Sequence, residues 1–196
     1  MKIKSIILII GIYFLAINNL LALDPEVFVQ STVNRASKTL SEEITKEEKM
    51  LQLQKIAKDT VDIKGIGFYT LGSIRKTLNE DQKKEYAKLF EKYFLKSFSS
   101  RLAEYTNPEI NVLGKETLNK NYTIVNSLLK GTNDRPEIKI DWRIYTKNPE
   151  KPLIRDLIIE GLSLARTQKE EFNSVLQSNN NDIKELFKTL KSFIES

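Results

Sequence analysis

Asp156 and Glu160 are the residues on which chemistry could turn. They interrupt the apolar run in RDLIIEGLSLARTQKEEF, positions 155–172. Two carboxylates held close together can serve as general acid and general base. Four residues apart on a strand they share a face, but at about 13 Å, taking ~3.3 Å per residue. Carboxylate pairs that cleave glycosidic bonds stand roughly 5–9.5 Å apart. The pair alone is too wide. Asp141, on a neighbouring strand, could come nearer to Asp156. An enzyme using Asp141 or Asp156 as base therefore stays open as an alternative.

In a regular strand Asp156 shares its face with Ile154 and Ile158. A carboxylate among such neighbours requires a buried partner. Arg75, in LGSIR, is the expected one. Gly161-x-Ser163 is part of a nucleophile elbow, but Ala165 stands where the second glycine belongs. Ser163 suits a helix start better. Gly65, Gly67 and Gly72 do not follow phosphate-loop spacing, and close helix packing is the expected role.

The 196-residue chain has no cysteine and no histidine. That removes disulfides, zinc–thiolate sites, imidazole ligands and any Ser-His-Asp triad. No metal-ligand cluster is visible, and no cofactor is expected. Without the leader, which holds Lys2 and Lys4 and no acid, the net charge falls from +5 to +3, too slight and too dispersed to indicate nucleic acid. Lysines 83, 84, 88, 92 and 96 read as a solvated helix face, with acidic partners as the alternative.

The elements that must position these residues follow from periodicity. MKIK and the 13-residue run SIILIIGIYFLAI, positions 5–17, have the order of a secretory leader. The run is short for a membrane span. Cleavage is expected after Ala22, giving a leader at 1–22 and one domain at 23–196. Helices are expected at 24–44 and 47–61, with a short one around 68–77. The strongest helical pattern starts at Asn79, with Gln82 as capping-box partner. Tyr86, Phe90, Tyr93, Phe94 and Phe98 form its aromatic stripe. From 109 the period changes to two, giving four strands joined by short turns. Ile138, Ile140, Trp142 and Ile144 alternate with Lys139, Asp141, Arg143 and Tyr145. Two helices close the chain at 164–178 and 181–194. Segregated elements of this kind predict an α+β fold: a curved antiparallel four-stranded sheet wrapped by helices. The gap between the layers is a natural place for a pocket.

Two segments resemble the MlaC family of periplasmic phospholipid carriers. In residues 68–105 the matching positions are Leu71, Gly72, Arg75, Gln82, Phe90 and Phe94. In residues 155–172 they are Asp156, Glu160, Gly161, Ser163, Leu164 and Phe172. Ile74, Arg155 and Thr167-Gln168-Lys169 depart from the usual residues. The resemblance implies a nuclear-transport-factor-like cone whose apolar cavity takes phospholipid acyl chains. It implies no catalysis. The implied partners are an outer-membrane lipoprotein complex and the MCE-domain protein of an inner-membrane ABC transporter, with the carrier maintaining outer-membrane lipid asymmetry from the periplasm. A hopanoid- or other lipid-binding relative, or a non-catalytic scaffold module, remains an alternative. The expected lining comprises Leu71, Phe90, Tyr93, Phe94, Phe98, Ile124, Trp142, Ile144, Ile158 and Leu162. Gly72, Arg75, Asp156, Glu160 and Gly161 are the expected structural residues.

Overall fold

The computed structural model describes residues 22–132 and 135–196. The expected leader, apart from Ala22, lies outside them.

Each helix begins where a short polar side chain meets the first free backbone amides. Asp24 caps α1 (Pro25–Ser41), with proline in its first turn. Thr45 and Glu48 form a reciprocal capping box on α2 (Lys46–Thr60). Asp62 caps α3 (Ile63–Thr70). Asn79 and Gln82 form the expected capping box on α4 (Glu80–Leu102). Ser163 caps α5 (Leu164–Ser178), and Asp182 caps α6 (Ile183–Glu195).

The short helix lies earlier than expected. Asp62 starts it at Ile63, and Gly72 ends it with φ +59°. That left-handed conformation costs glycine little and terminates helices. Ile74–Lys76 is only a 3-10 turn.

Among the described residues the sheet has five antiparallel strands in chain order, rather than four. They are β1 (Ile110–Asn119), β2 (Tyr122–Leu129), β3 (Ile138–Tyr145), β4 (Leu153–Ile159) and β5 (Leu162–Ser163). The extra strand is a two-residue edge piece. It exists because Glu160 and Gly161 both take positive φ, 48° and 81°, between the paired Ile159 and Leu162. Two positive-φ residues make the hairpin turn whose twist suits the flanking strands. The Glu160 carboxylate also accepts from the Lys139 amide.

Cross-strand register divides the sheet into two faces. Trp142 lies opposite Val125, and Ile144 opposite Thr123 and Ile154. This Trp142 face holds Val125 and Ile144 at 0 % exposure. The other face, called here the Arg143 face, carries Ile124 and Asp156 beside Arg143.

One irregularity decides the environment of Asp156. The register slips between Arg143↔Asp156 and Ile144↔Ile154, leaving Arg155 as a bulge residue. A bulge shifts the alternation by one. Asp156 therefore shares its face with Ile158 but not with Ile154, contrary to the expectation from a regular strand.

The helices pack mainly on one another around α4, whose chief neighbours are α2, α3 and α6. Tyr86 and Phe90 are buried, and the Tyr86 hydroxyl is 2.7 Å from Thr70 Oγ1. Burial pushes that hydroxyl above its usual pKa. Gly67 faces the Phe90 ring so closely that a Cβ would stand 2.7 Å from Cδ1. The absence of a side chain there sets the α3–α4 approach. Among the described residues no helix is long and apolar enough to cross a membrane.

Candidate functional site

The aromatic stripe of α4 makes a continuous run of ring contacts. Phe90 and Phe94 have centroids 6.1 Å apart, and Phe94 and Phe98 stack at 5.7 Å with an 8° interplanar angle. Phe172 of α5 meets Phe90 edge-on at 6.2 Å. Tyr93 lies 4.8 Å from Phe193 of α6, and its hydroxyl donates to Gln168 Oε1 at 2.8 Å. Partial burial raises the Tyr93 pKa. Offset and edge-to-face pairs of this kind favour rigid aromatic packing.

Toward the far half of α4 burial is incomplete. Tyr93, Phe94 and Phe98 are half-buried, and so are Ile110, Val112, Leu129, Ile138 and Leu157 of the sheet. All pack against the same core. Among the sheet residues, Ile110, Leu129 and Ile138 are in register across β1, β2 and β3. Apolar surface is thus left partly open to solvent beside the core, on both the helix and the strands.

The expected lining residues separate into groups. Leu71, Phe90, Trp142 and Ile144 are buried in the core. The Trp142 indole is satisfied, donating from Nε1 to Ser127 Oγ at 2.8 Å. Tyr93, Phe94 and Phe98 lie at its half-open margin. Ile124 and Ile158 lie on the Arg143 face, the opposite face from Trp142 and Ile144. Leu162 is 69 % exposed on the edge strand. Strand alternation, with the bulge included, is what separates these residues.

The carboxylates of the sheet are occupied. Asp156 is 4 % exposed. Its Oδ2 accepts from the Ser163 hydroxyl at 2.6 Å and its Oδ1 from the Ala165 amide at 3.0 Å. Its cationic neighbour is Arg143, at 3.7 Å, not the expected Arg75, which is exposed on the 3-10 turn. The bulge at Arg155 turns Asp156 toward Arg143, and no sequence pattern announces that bulge. Asp156 thereby ties β4 to the start of α5. Asp141 accepts from Asn126 Nδ2 at 2.8 Å and lies 3.3 Å from Lys139 Nζ. Among the described residues no group of three or more carboxylates is placed to hold a metal.

Two concavities stand out. A groove of about 810 Å³ runs between α4 and α6, floored by Phe187 and flanked by Glu85, Lys188 and Lys191. A smaller pocket of about 330 Å³ lies on the Arg143 face, between α3, the β1–β2 turn and the start of α5. Sequence reasoning passed over this second pocket. Its signal was the pair Arg143 and Arg155, whose convergence depends on the bulge.

A family model described as MlaC protein matches residues 29–192. A solved structure, the phospholipid-binding protein from Ralstonia solanacearum in complex with a phospholipid, superposes with a TM-score of 0.75. It is 19 % identical, and the match covers 88 % of this chain and 98 % of that one. At that identity the likeness is one of fold. No curated protein matches the chain.

Proposed function

The chain belongs to the MlaC family, and from that premise we propose that it is a periplasmic phospholipid carrier. A leader is removed after Ala22, and residues 23–196 act as one lipid-binding domain. The acyl chains enter between the far half of α4 and the Trp142 face of the sheet. Tyr93, Phe94 and Phe98 line the entrance. The carrier exchanges lipid with an outer-membrane lipoprotein complex and with the MCE-domain protein of an inner-membrane ABC transporter, and so maintains outer-membrane asymmetry. No bond is made or broken on the way.

The observation that carries this reading is that α4 and the sheet each leave half-buried apolar side chains packed against one core. The phospholipid held by the Ralstonia protein, on the same fold, supports it. The hydrogen bonds that occupy Asp141 and Asp156 favour a carrier over an enzyme.

Hydrocarbon burial supplies enough energy for such cargo. Each buried methylene contributes about 0.8 kcal/mol, so two chains offset departure from a bilayer without strong polar contacts. Weak polar contacts also ease release.

Phe98→Glu tests the site. The half-buried position tolerates the carboxylate at its solvent edge, whereas hydrocarbon does not. After incubation with phospholipid vesicles and re-isolation, the variant is expected to be folded by circular dichroism and to carry far less lipid than the unaltered protein. Equal lipid content in the two proteins would overturn the assignment of the cleft.

A further inference from the structure

We propose that the 330 Å³ pocket on the Arg143 face is a seat for a phosphate group, held by Arg143 and Arg155. This goes beyond the carrier reading and does not depend on it, because the pocket lies on the opposite face of the sheet from Trp142.

Among the described residues Arg143 donates no hydrogen bond. Its Nε is buried with no hydrogen-bond partner among the described residues. Its one ion-pair neighbour, Asp156 Oδ2, stands at 3.7 Å, beyond hydrogen-bond reach. The Asp156 oxygens are already bound to Ser163 and Ala165. Buried polar groups left unpaired are rare in native proteins, and a missing ligand is one physical reason for them. The Arg143 side chain is nonetheless 39 % exposed and lines the pocket.

Arg155 is the second fork. Its Nε donates to Asp62 Oδ2 at 2.5 Å, and the guanidinium lies over the Tyr145 ring at 4.6 Å. These two contacts fix the plane and leave its terminal nitrogens without a hydrogen bond among the described residues. Planar, pre-oriented guanidinium groups bind tetrahedral oxyanions better than a flexible ammonium does. The volume is that of roughly ten waters at ~30 Å³ each, room for a phosphate and a small ester substituent. Two aspartates balance the two arginines, so the seat is neutral when empty. Binding is therefore modest and salt-sensitive rather than tight.

A phosphate could arrive on a lipid headgroup or as the free ion. Tyr69 and Leu118 also line the pocket and are 43 % and 46 % exposed, setting apolar surface beside the anion seat. That polarity favours the phospholipid headgroup as the source.

The test is titration of the full exported chain by calorimetry, once with inorganic phosphate and once with monomeric dihexanoyl phosphatidylglycerol. The same titrations are followed through the arginine Nε–H resonances. Arg143→Lys keeps the charge and loses the fork, and roughly tenfold weaker binding is expected, the worth of about one charge-assisted hydrogen bond. Lipid bound with this dependence, and phosphate not, assigns the seat to a headgroup. Phosphate bound with this dependence, and lipid not, assigns it to the free ion. Both bound in competition assigns it to the shared group. The proposal is overturned if neither ligand moves an arginine Nε–H resonance in the unaltered protein, or if Arg143→Lys binds both as well as before. Co-purified lipid, weighed separately by native mass spectrometry, reports on the acyl cleft and not on this seat.

Discussion

An amide in place of the Asp156 carboxylate keeps one acceptor oxygen and loses the other, together with the charge beside Arg143. The amide nitrogen cannot accept from the Ser163 hydroxyl, so that hydrogen bond is lost or reversed, and the Arg143 guanidinium loses its neighbouring charge. Asp156→Asn is expected to cost about 2 kcal/mol in urea unfolding. The figure stays below that of a fully buried pair because Arg143 is partly solvated. Arg75→Ala, at an exposed position, is expected within about 0.5 kcal/mol of the unaltered protein. Equal losses at the two sites would contradict the pairing described. The sequence carried half of this. An aspartate amid isoleucines signals a buried partner, but which arginine serves is decided by a bulge one residue away. Bulges follow from the balance of many cross-strand contacts and leave no mark in local composition.

Among the elements, the helix starts were legible because capping is local chemistry. Asn79 with Gln82, and Asp24 with Pro25, cap the helices that their spacing predicts. The residues of β3 alternate in burial as the pattern implies. The short helix was misplaced because Asp62 and Gly72 set its limits more strongly than the apolar run between them. The fifth strand is two residues long, too short for any period to show. Two predictions belong here. Gly67→Ala gains helix propensity of about 1 kcal/mol. It also drives a methyl into Phe90, an overpacking cost of about 1–3 kcal/mol. A net loss of stability is expected, and a gain would mean that α3 and α4 can part freely. The second concerns Asp24, whose hydrogen bond from Lys115 holds its carboxyl below the usual value of 3.8, against a raising effect of burial. A lowered native value means the contribution is present above about pH 4 and is lost as pH falls through that lowered value. Asp24→Asn should therefore flatten the acid loss of stability below pH 4, measured as the urea midpoint against pH. An unchanged acid limb would show that the α1–β1 tie carries no stability.

For the molecule as a whole, the order of helices, strands and helices was readable from changes of period, and it matches the architecture observed. The aromatic stripe on α4 was equally visible. What remained hidden was the division of its residues between closed core and open margin. Phe90 and Phe94 have the same chemistry, yet Phe90 is 2 % exposed and Phe94 is half-buried. Phe90 is met by Phe172 of α5 and by Gly67 of α3, contacts that only tertiary packing creates. The carrier account rests on the open margin holding hydrocarbon. Its most direct measurement is the intact mass, under native conditions, of the protein purified gently from cells. The account predicts added mass equal to that of phospholipid, released on denaturation and recovered by extraction. Bare protein mass, from cells in which the protein is folded and exported, would contradict it.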